Sequence, residues 1–256
     1  MMHGPQPLIA PRVPARGLRT RKNTSMAKYT RAPQMISDRL LPDPLPSEPM
    51  TLLASWLEEA ASKKVQPNPD AIALATVDDR GRPDTRIVLC KDIDPEGASF
   101  VFFTNRESTK GRHLAHTPYA SIVFFWDTLN LQARARGPVT LASEEESEAY
   151  FRTRWVISRV SAHASDQSRP IGSREEMVRK VEALATKLGV PPDGSKEADV
   201  PRPPQWGGYR LWAEEIELWI GQPGRVHDRA RWSRTLTAIG DERHEGGPWT
   251  ATRLQP

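Results

Sequence analysis

The stretch Ile216-Glu217-Leu218-Trp219, the turn residues Gly221-Gln222-Pro223-Gly224, and then Arg225-Val226-His227-Asp228-Arg229 decide how this chain is read. They place an indole, two guanidinium groups and an imidazole within fourteen residues. On an extended strand successive side chains alternate, so Arg225, His227 and Arg229 are expected on one face and Val226 and Asp228 on the other. Three polar or cationic groups then converge on one surface. Taken alone, the same residues equally describe a solvated edge strand behind a hairpin turn, because a spacing of two arises cheaply by chance.

Immediately upstream, Pro203-Pro204-Gln205-Trp206-Gly207-Gly208-Tyr209-Arg210 leads into the same strand pair, and the chain ends Arg253-Leu254-Gln255-Pro256. Before a proline-rich loop, Glu175 to Leu188 reads as an amphipathic packing helix with Met177, Val181, Leu184 and Leu188 on one side. Earlier still, Ser143 and Glu146 make a capping box, and the helix they start is expected to run through Tyr150, Phe151 and Arg154. Tyr150, Arg154 and Ser158 fall at i, i+4 and i+8, one helical stripe. A guanidinium fork flanked by two hydroxyls suits a phosphate monoester, although spacing alone does not establish the clamp.

The middle of the chain reads as paired strands. Ala71 to Val77 and Thr85 to Lys91 flank the turn Asp78-Asp79-Arg80-Gly81, which predicts a hairpin. Arg86 and Lys91 bound its second strand; roughly 16 Å of extended chain separates them and alternation puts them on opposite faces. They serve either as two rim charges or as contacts to two different anions. Phe100 to Thr104 is a further strand, followed by Asn105-Arg106-Glu107-Ser108-Thr109-Lys110 at the start of a helix through Leu114. A hydroxyl-rich helix start with a lysine is either an anion site or an ordinary N-cap. Ala120 to Trp126 and Leu129 to Gly137 form a second hairpin around Asp127-Thr128, in which Leu131, Ala133 and Ala135 alternate with Gln132, Arg134 and Arg136. Ahead of all of them, Ser47 is expected to cap a packing helix reaching Ser62, with Leu52, Leu53, Trp56 and Leu57 inward and Glu58-Glu59 in water.

Composition narrows the classes. A chain of 256 residues makes one large domain or two small ones, and no apolar run approaches a membrane span. The single Cys90 excludes an internal disulfide, which fits a cytoplasmic protein, and its apolar setting makes it a core residue rather than a nucleophile. The formal charge of +4 is carried by the N-terminus: residues 1 to 34 hold Arg12, Arg16, Arg19, Arg21, Lys22, Lys28 and Arg31 with no acid. With those seven taken from the 36 cations, 29 remain against 32 acids, which argues against nucleic acid as a partner. Residues 1 to about 40 are expected to be a disordered extension, with a transit peptide or an early start codon as alternatives. No cluster of His, Cys and carboxylates has metal-ligand spacing.

The C-terminal signature resembles that of the pyridoxamine 5'-phosphate oxidase family, and the motifs from Leu45 to Pro256 follow in that family's order. Departures are Leu218, Ile220, Thr109, the segment Trp155 to His163, and the lack of a clear N-terminal lid motif, for which Lys28-Tyr29-Thr30-Arg31 is a poor substitute. The resemblance implies a mainly β fold with flanking helices, a six-stranded Greek-key FMN-binding split β-barrel over residues 45–256, forming a homodimer with FMN in the subunit interface. It implies that Arg86, Ile87, Val88, Leu89, Cys90, Lys91, Phe103, Thr104, Lys110, Gln132, Trp219 and Arg229 contact FMN, with Gln167 and Ser168 reaching it from the other subunit; the contact that Thr109 does not make is either missing or supplied by Arg112 or Arg106. Lys91, Tyr150, Arg154 and Ser158 would hold the substrate phosphate, and Arg225 and His227 would sit over the reacting end as catalytic residues. The implied reaction is oxidation of pyridoxamine or pyridoxine 5'-phosphate to pyridoxal 5'-phosphate by O2. The alternatives are a phenazine-biosynthesis-type flavin oxidase and a non-catalytic carrier of FMN or pyridoxal phosphate.

Overall fold

A computed structural model describes residues 38–191, 194–196 and 198–256. Nearly all of the basic extension, with Lys28 to Arg31, lies outside the described residues. Its expected boundary near residue 40, however, falls inside packed chain. Arg39 donates to Glu59 at 2.6 Å with its guanidinium 5.3 Å from the Trp56 ring centre, and the Leu41 amide donates to Asp228 at 2.7 Å.

Helix α1 (Met50–Ser62) buries Met50, Leu53, Trp56 and Ala60. Ser47 does not cap it: Pro49 occupies the N-cap and the Glu48 carboxylate accepts from the Met50 and Thr51 amides. An acid at that end also faces the positive pole of the helix dipole.

Strands β1 (Ala71–Val77) and β2 (Pro83–Asp94) form the expected antiparallel hairpin. Its turn is closed by the Asp78 carboxylate, which accepts from the Arg80 and Arg82 amides, and by Gly81 at φ 76°. β2 outlasts β1: it pairs with β1 as far as Leu89, and from Cys90 onward with β3 (Ser99–Asn105), across a bulge that leaves Lys91 as the extra residue. β1 also pairs with β4 (Tyr119–Trp126), β4 with β5 (Leu131–Leu141), β3 with β6 (Trp206–Trp212), and the end of β5 with β6. The order β5-β4-β1-β2-β3-β6 therefore closes on β5 as a six-stranded antiparallel barrel, removing free edges.

The barrel is split at β5. Leu131 to Arg136 pair with β7 (Glu215–Ile220), continuing into β8 (Asp228–Ser233) and β11 (Thr250–Arg253), while Val139 to Leu141 pair with β6. Gly137 stands where the partner changes, and a Cβ there would lie 1.9 Å from the Trp212 carbonyl oxygen, so only glycine fits. A small hairpin of β9 (Leu236–Ile239) and β10 (Arg243–Gly246) completes the strands among the described residues. The predicted alternation holds on β5: Leu131, Ala133 and Ala135 are buried together with Ile72, Leu74, Ile122, Phe124, Ile216, Leu218 and Trp232. The indoles of Trp126 and Trp232 donate to the Pro69 and Pro46 carbonyls at 2.8 and 2.9 Å, so burial leaves neither N–H unsatisfied.

The remaining helices are α2 (Thr109–His116), α3 (Glu144–Thr153), α4 (Val156–Ala164) and α5 (Arg174–Lys187). Both bonds of the Ser143 and Glu146 capping box are made. The single stripe through Tyr150, Arg154 and Ser158 is not: α3 ends at Thr153, Arg154 is extended (φ −74°, ψ 145°), and α4 begins at Val156. α4 and α5 pack through a small separate cluster of Val156, Val160, Ala185, Val190 and Val200. The strand expected through Arg225 is also corrected. Pro223–Arg225 is a short turn with Gly224 at φ 66° and Arg225 at φ 63°, and β8 starts only at Asp228. No helix among the described residues is long and apolar enough to cross a membrane.

Candidate active site

β2, β3, α2 and the end of α3 enclose a cavity of about 350 Å³, lined by Arg86 to Leu89, Lys91, Phe103, Thr104, Lys110, Tyr150, Arg154, Gln167 and Trp206. A neighbouring chamber of about 410 Å³ shares Phe103, Thr104, Arg154, Gln167 and Trp206 and adds Trp155, Ser158, Ser161 and Ser165. Arg154 thus belongs to both.

Its cause is the break between α3 and α4. Held extended at the helix end, Arg154 lays its guanidinium 4.9 Å from the Trp206 ring centre and 5.6 Å from that of Phe151. Burial lowers its affinity for a proton, and Nη1 is buried without a hydrogen-bond acceptor among the described residues. A desolvated cation with an unused donor calls for an anion. The wall beside it is aromatic: the near-parallel rings of Phe103, Tyr150 and Trp206 form a trio, with Phe103 4.2 Å from Tyr150 and 5.5 Å from Trp206, and Tyr150 6.1 Å from Trp206. Ser158, in the first turn of α4, meets Arg154 in the larger chamber, whereas Tyr150 meets it in the smaller.

Lys110 is a second desolvated cation, its donors taken by neutral groups. Only 9% exposed, it donates to Thr104 Oγ1 (3.2 Å), Ser108 Oγ (3.3 Å) and Gln167 Oε1 (3.1 Å), all neutral. Burial first, and then the charge of Arg86, lower its pKa. It rides on the first turn of α2, whose N-cap Ser108 accepts from Gly111, so helix dipole and ammonium act in the same direction. Arg86 donates to Thr76 Oγ1 at 2.6 Å and to Asp84 at 2.5 Å. Lys91 was expected on the face opposite Arg86, but the bulge of β2 brings both to one cavity. There its ammonium donates to Asp70 at 2.6 Å.

Several expected contacts fall elsewhere. Cys90 is 4% exposed in the core, its thiol pushed up to about 12 by burial, and it lines neither chamber. Gln167 accepts from Thr104 and Lys110 of its own chain. Ser168 lines neither chamber. Arg106 pairs with Glu144, and Arg112 donates to the Glu107 carbonyl and to Thr109.

The C-terminal residues form a second group. Gln132 stands opposite Trp219 in the β5–β7 register, and Trp219 opposite Arg229 in β7–β8. The Trp219 ring lies 4.7 Å from His227, whose Nδ1 accepts from the Gln222 amide at 3.1 Å. Arg229 donates to Glu217 at 2.7 Å. Arg225 is exposed on its turn. None of these five lines either chamber, so within one chain the two groups share no cavity. Sequence reading missed Trp206, Trp155 and Asp70 as site residues; Trp206 alone was signalled, by the Trp-Gly-Gly run that starts β6.

Comparison with known proteins places these features in a family. Residues 57–188 match the family described as pyridoxamine 5'-phosphate oxidase, and residues 206–256 match the pyridoxine 5'-phosphate oxidase C-terminal dimerisation region. The pyridoxine/pyridoxamine 5'-phosphate oxidase of Paraburkholderia phytofirmans is 44% identical over 208 residues, 81% of this chain and 89% of its own length. Among solved structures, PhzG from Burkholderia lata, in complex with tetrahydrophenazine-1-carboxylic acid, superposes with a TM-score of 0.71 at 34% identity, covering 86% of this chain and 98% of that one. A pyridoxamine 5'-phosphate oxidase-related FMN-binding protein from Nostoc punctiforme shares the fold at TM-score 0.60 and 18% identity, covering 80% of this chain and 96% of its own.

Proposed function

This chain belongs to the pyridoxamine 5'-phosphate oxidase family and is an oxidase, and from that premise we propose that it oxidises pyridoxamine 5'-phosphate, pyridoxine 5'-phosphate or both to pyridoxal 5'-phosphate on bound FMN. The observation that carries the choice of substrate is Arg154, half-buried, whose Nη1 is buried without a hydrogen-bond partner among the described residues and which shares one chamber with Tyr150 and the other with Ser158. A phosphate monoester satisfies its free donor and offsets its desolvation.

The same test supports FMN. Lys110 is buried among neutral partners at a helix N-terminus beside Arg86, a setting that a phosphate completes, and Ile87 and Val88 border the same cavity. In this reading Arg86, Thr104 and Lys110 hold the cofactor phosphate, and Lys91, Tyr150, Arg154 and Ser158 hold that of the substrate. FMN, when bound, supplies the acceptor for a hydride equivalent and its return to O2 as hydrogen peroxide. The chain positions the reacting carbon and excludes water; with the amine substrate, hydrolysis then releases ammonia. His227 accepts at Nδ1, so its neutral ring carries the proton at Nε2, and with Arg225 it orients the substrate's reacting end. Trp219, Arg229 and Gln132 steady the flavin.

Residues 206–256 match the family's dimerisation region, and the Trp219 to Arg229 group shares no cavity with Lys91 and Arg154 in one chain. We therefore read each site as composite, completed by the second subunit of a homodimer, in the cytoplasm. Replacing Arg154 by Ala is expected to raise KM for the phosphorylated substrate by roughly tenfold to a hundredfold, as for loss of a charge-assisted bond worth about 1.5–3 kcal/mol. An unchanged KM, measured on flavin-loaded protein, contradicts the clamp.

A second reading, a phenazine-type flavin oxidase, is favoured by the likeness to the Burkholderia lata structure and by the opened chamber at Trp155. Against it stand the cations gathered for a phosphate, Lys91 and Arg154 with Tyr150 and Ser158, where a phenazine carboxylate would need fewer.

A further inference from the structure

The phosphate clamp contains a competitor. Asp70, the residue preceding β1, places its carboxylate 2.6 Å from the Lys91 ammonium. The pair is three-quarters buried on both sides, and Asp70 is fixed from behind, because its carbonyl accepts from the Cys90 amide at 2.9 Å. The backbone that carries the carboxylate is therefore tied to the residue next to Lys91. Of the other cations of the cavity, Arg86 is likewise paired, with Asp84 at 2.5 Å, whereas Lys110 has only neutral partners and Arg154 has no carboxylate among the described residues.

We infer that Asp70 is a specificity-determining residue that holds Lys91 in check, so that a phosphorylated substrate must displace or share the ammonium with an internal carboxylate. The inference rests on the proposed reading of Lys91 as a substrate-phosphate contact. Its physical basis is like-charge opposition. A phosphate dianion entering beside Asp70 meets a carboxylate a few ångströms away in a partly desolvated site, where charges are poorly screened. Arg154, unopposed, then carries most of the attraction, and Lys91 contributes only what the anion gains over Asp70. The site is tuned to bind phosphate less tightly than its count of cations suggests, which favours release of the phosphorylated product.

Asp70→Asn preserves shape and an acceptor for Lys91 while removing the charge. In the full-length, flavin-loaded protein it is expected to lower KM for pyridoxine 5'-phosphate, and the inhibition constant of inorganic phosphate, by about threefold to tenfold, with kcat unchanged or reduced. The gain should shrink at high salt and in a Lys91→Ala background, the signature of an effect exerted through Lys91. A merely structural ion pair gives the opposite pattern: a lower melting temperature with KM and phosphate affinity unchanged or weakened, which overturns the inference. Direct calorimetric titration of inorganic phosphate separates this outcome from failure of the functional reading. If neither protein turns over either vitamer but phosphate binds more tightly to the variant, the competition stands and the substrate assignment falls. If wild type turns over and the variant binds phosphate no better, the competition falls alone.

Discussion

At the scale of single residues, the chain separates charges that serve the site from groups that only fill space. Lys110 is a buried cation with only neutral partners, and Arg154 a half-buried one whose Nη1 has no partner among the described residues; Cys90, between Leu89 and Lys91 in sequence, is core. With its pKa near 12, the Cys90 thiol is about 10⁻⁴ ionised at pH 8. Alkylation by iodoacetamide at that pH is therefore expected to be negligible in the native protein and to become rapid in denaturant; fast labelling of the folded protein contradicts the burial. The identity of these residues was legible from sequence, and their geometry was not. Lys91 joins Arg86 only because one extra residue bulges out of β2, and a bulge is set by the register of the partner strand rather than by local composition. Asp70 escaped notice because its partner is 21 positions away.

At the scale of elements, the hairpins, the Ser143 capping box and the amphipathic α5 were legible because each is written in local chemistry: alternation, turn residues, a paired cap. Two errors have a common origin. Tyr150, Arg154 and Ser158 satisfy helical spacing, yet the run Trp155-Val156-Ile157 is poor in helix formers, and tertiary packing ends one helix and starts another there. Arg225 satisfies strand alternation, yet Gly224 and Arg225 both adopt left-handed backbone, lengthening the turn. Periodicity is blind to a single residue that breaks it. The break in the helix turns Arg154 toward both chambers. Ser143→Ala removes one half of the capping box and is expected to destabilise the protein by about 1 kcal/mol. Because α3 carries Tyr150 and ends at Arg154, KM should rise more than kcat falls; denaturant melts and steady-state kinetics check both, and an unaltered stability contradicts the cap.

At the scale of the whole molecule, the barrel was legible as a class from the number and spacing of strands, and the resemblance supplied its closure. What no local pattern reveals is that β5 serves two sheets, pairing with β7 for half its length and β6 for the rest, with Gly137 at the crossing. That division also sets the two groups of site residues apart, one in the cavity by β2 and α3, the other along β5, β7 and β8. A composite site predicts subunit complementation. Homodimers of Arg154→Ala and of His227→Ala should each be impaired, whereas dimers reassembled from a mixture regain activity, because a mixed dimer contains one site with both residues intact. No gain over the separate variants, with mixed dimers demonstrated by mass, contradicts the sharing.

The claim on which the rest depends is the chemistry itself. It is tested most directly by oxygen uptake of purified, FMN-loaded protein with pyridoxamine 5'-phosphate and pyridoxine 5'-phosphate offered separately, while the absorbance of pyridoxal 5'-phosphate is followed. The account predicts oxygen consumption matched by aldehyde formation with at least one of them. Full flavin occupancy with no turnover of either substrate contradicts it and shifts the assignment to a phenazine-type oxidase or a carrier.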